Sequence, residues 1–336
     1  MDTLRRISLP LAFAALALVW GSSFLFMKVA AEGLTAGQIA AGRLVLGALT
    51  LRVLMVVTER AWPRDRRFWG HMAVTALFLC AVPFLLFAWA APHIPSGLSS
   101  IFNASTPIMA ALFTAAILPT ERLGQRGASG VALGAAGVVV VVGPWTLAAT
   151  AGAALEAQLA CLGATACYGF GTAYLRRFVA GRHHHDALTV STVQVSLAAA
   201  AALVLMPLTG WAPMRFDAPM LASLAALGIL GTGIAYIWFT LVVTAWGAVA
   251  ASTVTYLTPL VGVLLGVAVL GETLAWHHPV GGAMILAGII VAQSRRVRPA
   301  GRTAEPAPRT VTLLPAALPD GPRSRPRPAS SRASCP

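Results

Sequence analysis

The sequence predicts an all-α polytopic membrane protein, with ten transmembrane helices arranged as two inverted five-helix repeats. Three observations support this prediction: the composition, a series of long apolar runs, and residues that recur at a constant offset. Of the 336 residues, 57% are apolar and only 10% are charged, and the mean hydropathy is +0.77. Soluble domains carry about 25% charged residues, so this composition excludes a soluble fold.

The apolar runs are long enough to cross a bilayer. A helix needs about 20 apolar residues to cross a hydrocarbon layer of about 30 Å. Runs separated by charge, Pro or Gly predict ten spans, at 10–30, 36–57, 69–91, 96–118, 127–143, 156–175, 187–209, 217–243, 247–270 and 279–294. The first run continues past Trp20 without a small-residue cleavage site, so we interpret it as a membrane helix and not as a secretory signal.

The basic residues predict the orientation, because they lie in alternate connections. These connections precede span 1, join spans 2 to 3 and 4 to 5, and follow span 6; they hold Arg5, Arg6, Arg60, Arg64, Arg66, Arg67, Arg122, Arg126, Arg176, Arg177 and Arg182. Arg215 is the clear exception. The positive-inside rule then predicts a bacterial cytoplasmic (inner) membrane protein with both termini cytoplasmic. The net charge of +13 therefore indicates a lipid bilayer as partner and no nucleic acid.

Matching residues predict two repeats. Glu121 and Glu272 are 151 residues apart, and at the same offset Gly130 matches Gly281 and Gly137 matches Gly288. Five spans are an odd number, so the second copy would enter the membrane in the opposite sense. The predicted domains are a cytoplasmic N-terminus at 1–9, repeats at 10–145 and 155–295, and a disordered Arg/Pro-rich cytoplasmic tail at 297–336. The glycines indicate close helix packing, within one chain or between two copies, so a homodimer stays open.

Two sets of motifs resemble a known family. The run Trp20-Gly21-Ser22-Ser23-Phe24, followed by Lys28 and by Arg43, is similar to the opening of EamA-type members of the drug/metabolite transporter superfamily. A Thr-Pro step leading to Glu121-Arg122-Leu123, repeated before Glu272-Thr273-Leu274, is similar to the close of each EamA domain. The resemblance covers roughly residues 10 to 295. It implies two five-helix domains and the transport of small metabolites, often outward.

Polar and aromatic residues near mid-span are the candidate substrate-binding residues. They are Trp20, Ser22, Ser23, Phe24, Arg43, Trp89, Asn103, Ser105, Tyr168, Tyr236, Trp238, Thr255 and Tyr256. A ring beside small polar groups suits a midplane pocket for an organic molecule. The alternatives are structural: hydroxyls that bond their own helix or a neighbouring helix, and rings in an interfacial belt, which for Trp89 is favoured by its place near a span end.

Two of the prolines within predicted spans each follow a Thr at matching places in the two repeats. Pro107 and Pro259 each remove one backbone donor and crowd the carbonyl four residues earlier, those of Asn103 and Thr255. Both helices should therefore bend there, either as fixed kinks or as hinges.

The placement of the charged residues limits the classes of substrate that the protein is expected to bind. All eleven acidic residues lie at span ends, in loops or in tails, whereas Arg43 lies about seven residues inside span 2. A buried Arg must face protein, water or a ligand, so it is either satisfied by carbonyls or contacts an anion.

Lys28 is expected to pair with Glu32, and Glu272 to accept bonds from backbone donors at the start of the next helix.

These features predict a membrane transporter, with export as the expected direction, that carries a small neutral, zwitterionic or anionic metabolite by alternating access. No nucleotide-binding loop is recognisable, and no catalytic residue, metal or cofactor is predicted. The alternatives are an intramembrane lipid-modifying enzyme, which needs paired acids or histidines at depth, and a non-transporting scaffold, which needs no cavity.

Overall fold

The structure, a computed structural model, describes residues 2–118, 124–146, 152–179, 182, 185–208, 212–214, 217–246 and 254–293. The predicted Glu121 motif and the predicted tail at 297–336 lie outside the described residues. The chain from Met1 to Arg295 forms one compact unit.

Apart from a short 3₁₀ helix at Pro144–Thr146, the described residues form ten helical stretches and no strand. They are α1 (Asp2–Ala30), α2 (Ala36–Val57), α3 (Arg66–Ala90), α4 (Ser96–Ile117), α5 (Gln125–Val142), α6 (Ala153–Phe178), α7 (Ala187–Leu205), α8 (218–246), α9 (Val254–Leu270) and α10 (His277–Gln293). By length and composition α1, α2, α3, α4, α5, α7 and α8 can cross a membrane. The protein is thus an all-helical, multi-pass membrane protein, while the assignment of α6, α9 and α10 as spans stays a prediction.

Three of the helices are irregular in their interior. α3 contains a π-helical segment at Leu77–Ala81, and α8 contains one at Ala226–Ile234. α4 is interrupted at Ala104 and Ser105, and Pro107 is the second residue of the segment that follows. Segments of π-helix inside α-helices are frequent at functional sites because they redirect side chains.

Pro259 has a different outcome from Pro107. α9 runs through it, and the hydroxyl of Thr258 donates to the carbonyl of Thr255 at 3.0 Å. This carbonyl is the one that the proline was expected to leave without its amide partner. A side chain from the same helix therefore replaces the missing donor, as Ser and Thr often do in membrane helices.

The core lies between the two halves of the chain. α1 packs on α9, α2 on α7 and α8, α3 on α6, and α4 on both α6 and α9. α5 packs on α10. Each helix of the first half thus has a partner in the second, and side chains from both halves form the buried apolar cluster around Phe102.

Glycines allow the closest of these contacts, between α5 and α10 of the same chain. A Cβ atom on Gly288 would lie 2.6 Å from the carbonyl oxygen of Gly130 and 2.6 Å from the amide of Gly134. A Cβ on Gly281 would lie 2.7 Å from the carbonyl oxygen of Gly137. The predicted close packing is therefore present within one chain.

We predict that Gly288→Ala destabilises the protein by about 1–3 kcal/mol, because the added methyl must push the two backbones apart. Thermal unfolding of the purified protein in detergent measures the effect as a lower midpoint. Gly163→Ala is the matched control, since a Cβ on Gly163 in α6 meets only Leu86 at an ordinary 3.6 Å. Equal midpoints for the two variants would contradict the packing argument.

Candidate functional site

A cavity of about 850 Å³ lies in the helical unit. Eight helices line it: α1 to α4 from the first half and α6 to α9 from the second. Small-molecule sites generally measure about 300–1,000 Å³ and are mostly apolar with a few polar groups. The cavity fits this description, because its described lining combines seven Phe, Tyr and Trp rings with Arg43, Asn103 and several hydroxyls.

Seven of the thirteen candidate substrate-binding residues line this cavity. They are Trp20, Ser23, Phe24, Arg43, Asn103, Tyr168 and Tyr236. Ring contacts join two of them to other residues of the lining, with Phe24 5.4 Å from Phe87 and Trp20 5.5 Å from Phe239 between ring centroids. The indole nitrogen of Trp20 also donates to the carbonyl of Gly231 at 3.2 Å, which joins α1 to the π segment of α8.

The other six candidates lie outside the lining. Ser22 donates to the carbonyl of Val19 at 3.2 Å, and the fully buried Ser105 donates to that of Phe102 at 2.8 Å. Trp89 is 36% exposed and lies against His93, as an interfacial ring would. The remaining three are Trp238, packed beside Leu16 and Ala17; Tyr256, packed on the main core; and Thr255, whose carbonyl accepts from Thr258.

Arg43 is the buried cation of the site. Its side chain is 7% exposed, its Nε donates to Thr232 Oγ1 at 3.0 Å, and its guanidinium carbon lies 3.9 Å from the centroid of the Phe84 ring. Thr232 Oγ1 in turn donates to the carbonyl of Leu227 at 3.0 Å. The two π segments explain this clamp, because Phe84 follows the one in α3 and Thr232 lies inside the one in α8.

Two polar groups elsewhere in the lining have no hydrogen-bond partner among the described residues. The carboxamide of Asn103 lies at the end of the first segment of α4, where the helix is interrupted. The hydroxyl of Thr106 begins the second segment and is buried. The break in α4 therefore presents two polar side chains that water or a ligand can satisfy.

Several residues of the lining were not among the candidates predicted from the sequence. Phe84, Phe87 and Met27 are apolar residues in apolar spans, and nothing in the sequence separates those that face a cavity from those that face lipid. Gln194 also lines the cavity, and its carboxamide nitrogen donates to Cys80 Sγ at 3.2 Å. A Gln seven residues inside a predicted span was a usable signal, because a buried amide needs partners.

Beyond the cavity, Glu272 forms a buried cluster of polar contacts. Its carboxylate accepts from the backbone amides of Ser96 and Gly97, at 2.7 and 3.2 Å, and from Ser96 Oγ at 2.9 Å. Lys28 Nζ lies 3.6 Å from the same carboxylate and donates to the carbonyl of Ile94 at 2.8 Å. The Glu272 side chain is 8% exposed.

This cluster corrects two expectations. Lys28 meets Glu272 and not Glu32, because α1 ends against the α9–α10 connection. Glu272 does accept backbone donors at a helix start, but the helix is α4 and not the following α10. The free amides and the positive dipole end of α4 favour a carboxylate at this place. The start of α4 is far from Glu272 in the sequence, but the fold brings the two into contact.

Comparisons with known proteins agree with this architecture. A sequence model described as the EamA-like transporter family matches residues 8–143 and again 155–293. A probable terminal-alkyne amino-acid exporter of Streptantibioticus cattleyicolor is 26% identical over 280 residues, which are 82% of this chain and 90% of that protein. A crystal structure whose description names no activity has a TM-score of 0.58 at 20% identity and covers 85% of this chain and 96% of that one; this likeness concerns the fold alone.

We predict that a cysteine at Asn103 reacts with a small water-soluble maleimide, because this side chain lines the cavity. Ser105→Cys is the matched control, two residues further along the same helix but fully buried. Both are made in a variant whose four native cysteines are replaced. Mass spectrometry of the labelled protein should show faster modification at position 103, and equal rates would mean that the cavity does not admit water.

Proposed function

From the premise that this chain belongs to the EamA-like transporter family, we propose that it exports a small neutral, zwitterionic or anionic metabolite by alternating access. The sequence resemblance is confirmed by the family match, which covers both halves of the chain. The protein is therefore a membrane transporter. The observation that carries the finer proposal is the cavity, which is lined by helices of both halves.

An inverted repeat would explain how such a cavity could open to either side. Moving the π segment of α3 by the offset of 151 puts it at 228–232, inside the π segment of α8. Both halves also carry a proline at matching places in α4 and α9. Two similar halves of opposite orientation can exchange conformations, which exposes a site between them to one side and then to the other.

The position of the lining residues indicates the side of the membrane to which the cavity is open in this structure. It extends to Val179, His185 and Ala187, around the α6–α7 connection. The arginines of that connection predict a cytoplasmic location. The lining also includes Met27. Met27 is next in sequence to Lys28, which belongs to the Glu272 cluster, so this cluster lies near the other end of the cavity. We propose that the cavity is accessible from the cytoplasm in this state and that the Glu272 cluster closes its external end.

The described lining also favours the substrate class. It contains Arg43 but no carboxylate, so it offers no acidic partner to a lipophilic cation. The relative in Streptantibioticus cattleyicolor is named as an exporter of an amino acid, a zwitterion. Such molecules are compatible with a site whose buried charge is positive.

The two alternatives account less well for this geometry. A scaffold needs complementary contacts between helices, whereas here a cavity of about 850 Å³ lies between helices of the two halves. An intramembrane enzyme needs paired acids or histidines at depth. Among the described residues of the lining there is no acid and one histidine, His185, which lies at the α6–α7 connection.

Metabolite profiling tests the function. We expect cells that express the protein to accumulate at least one small organic compound in the medium while its intracellular concentration falls, relative to cells without the gene. Both pools are measured by mass spectrometry at equal cell density. If no compound changes in either pool, the export proposal fails.

The gate has a test of its own. We predict that Glu272→Gln opens the external end more often, because it removes the negative charge that contacts Lys28 and the backbone amides at the start of α4. Hydrogen bonds to charged groups contribute about 1.5–3 kcal/mol. The readout is a cysteine at Met27, labelled in intact cells by a membrane-impermeant maleimide. Labelling should rise about tenfold or more.

Glu32→Gln is the matched control for the gate, since Glu32 is an exposed carboxylate near the same end of α1. It should leave the labelling at position 27 unchanged. Equal labelling in the two variants would show that the Glu272 cluster does not close this end.

A further inference from the structure

We infer that Arg43 is the binding site for a carboxylate group of the substrate, and that Thr232 and Phe84 position its guanidinium for this role. The inference rests on the proposed transport function and names the chemical class of its cargo: a small carboxylate with an apolar or aromatic body. It is carried by a buried cation that lines the cavity and is only partly satisfied by the protein.

The hydrogen bonds of Arg43 leave part of its donor set free. A guanidinium has five N–H donors in a planar fork. One of them, on Nε, bonds to Thr232 Oγ1. Among the described residues no carbonyl or carboxylate accepts from the two Nη groups, and the recorded ion pairs are Lys28 with Glu272 and Arg60 with Asp186.

A buried cation without a counter-ion is costly, and a ligand can supply the missing charge. A central Arg in a membrane helix costs about 2.5–3.5 kcal/mol even where it can reach water. A carboxylate matches the guanidinium fork because two parallel N–H···O bonds can form between them. The attraction between the two charges would be stronger here than in bulk water, since Arg43 is buried among apolar side chains that lower the local dielectric constant.

The clamp orients the free edge of the fork. The Phe84 ring covers one face of the guanidinium, and the Thr232 hydroxyl holds Nε. Thr232 Oγ1 has its own hydrogen committed to the Leu227 carbonyl, so its lone pair is directed to accept from Arg43. Thr232 is fully buried and does not line the cavity, so it is a positioning residue and not a substrate ligand.

The rest of the lining fits an organic body attached to the carboxylate. Trp20, Phe24, Tyr168 and Tyr236 present aromatic surface in the same cavity as Arg43. Asn103 and Thr106 offer the polar groups that a further hydrogen-bonding substituent of the substrate would need. An inorganic anion would use the cation alone and would leave this apolar surface without a role.

The first test uses export by intact cells that express the protein, Arg43→Gln, Arg43→Lys or Arg52→Gln at equal membrane levels. Arg52 is a matched control on the same helix: its Nε also bonds to a hydroxyl, that of Ser196 at 3.2 Å, but the residue is exposed and outside the lining. Mass spectrometry identifies the compounds that the unmodified protein adds to the medium.

We expect these compounds to carry a carboxylate, and their accumulation rate to fall about tenfold or more in Arg43→Gln. Arg43→Lys should retain part of the rate because it keeps the charge without the fork. Arg52→Gln should match the unmodified protein. Exported compounds that lack a carboxylate, or equal rates in Arg43→Gln and Arg52→Gln, would overturn the inference and leave the transport proposal standing. Absence of any exported compound would instead overturn both.

A second test separates positioning from folding. Proteoliposomes measure transport of an exported compound by Thr232→Val and Thr232→Ser, with the thermal unfolding midpoint of each variant recorded in detergent. Thr232→Val should raise the half-saturating concentration several-fold at an unfolding midpoint close to that of the unmodified protein, and Thr232→Ser should restore it. A half-saturating concentration unchanged in Thr232→Val would show that Thr232 does not position Arg43.

Discussion

The constraint that governs this protein is that polar groups inside hydrocarbon must find their partners within the protein. Most of the polar groups near mid-span meet it locally. Ser23 bonds to the carbonyl of Val19, and Thr258 supplies the donor that Pro259 lacks. Three departures from this pattern are informative: Arg43, Asn103 and Thr106 lie in the lining of one cavity and keep polar atoms that no described residue satisfies. The other buried polar atoms without a partner among the described residues, on Ser99, Gln158 and His278, lie outside this lining. A transporter needs such incomplete satisfaction at the place where its cargo binds.

The cavity and the Glu272 cluster belong to one mechanical arrangement. Because every helix of the first half packs on a helix of the second, a movement of one half against the other must change many contacts together. Rigid glycine contacts between α5 and α10 are suited to hold the halves in register. The polar contacts of Glu272, by contrast, can be exchanged for contacts with water at a cost of about 1.5–3 kcal/mol. We therefore expect a conformational change to break the contacts of the Glu272 cluster and to preserve the glycine contacts between α5 and α10.

Irregular helix geometry is concentrated around the cavity. Residues within or next to the π segments of α3 and α8 and the break in α4 line the cavity. A regular helix would carry Phe84 and Thr232 at different angles, and the guanidinium of Arg43 would lose its clamp. The local departures from α-helical hydrogen bonding thus have a chemical result: they fix the orientation of one cation.

The sequence by itself determined the membrane class, seven of the predicted spans and the family, because hydropathy, charge placement and the repeated motifs are properties of residues near one another in the chain. It also singled out Arg43 and Asn103, since deep polar groups in a span are conspicuous. Only the tertiary structure decided which residues meet: Glu272 with α4 and Lys28, Arg43 with Thr232 and Phe84, and Ser105 with the packed core and not with the cavity. The physical reason is that hydropathy measures how strongly a side chain avoids water, but not which neighbour will surround it. That choice depends on helix rotation and on contacts between residues more than 200 positions apart, such as Trp20 with Gly231.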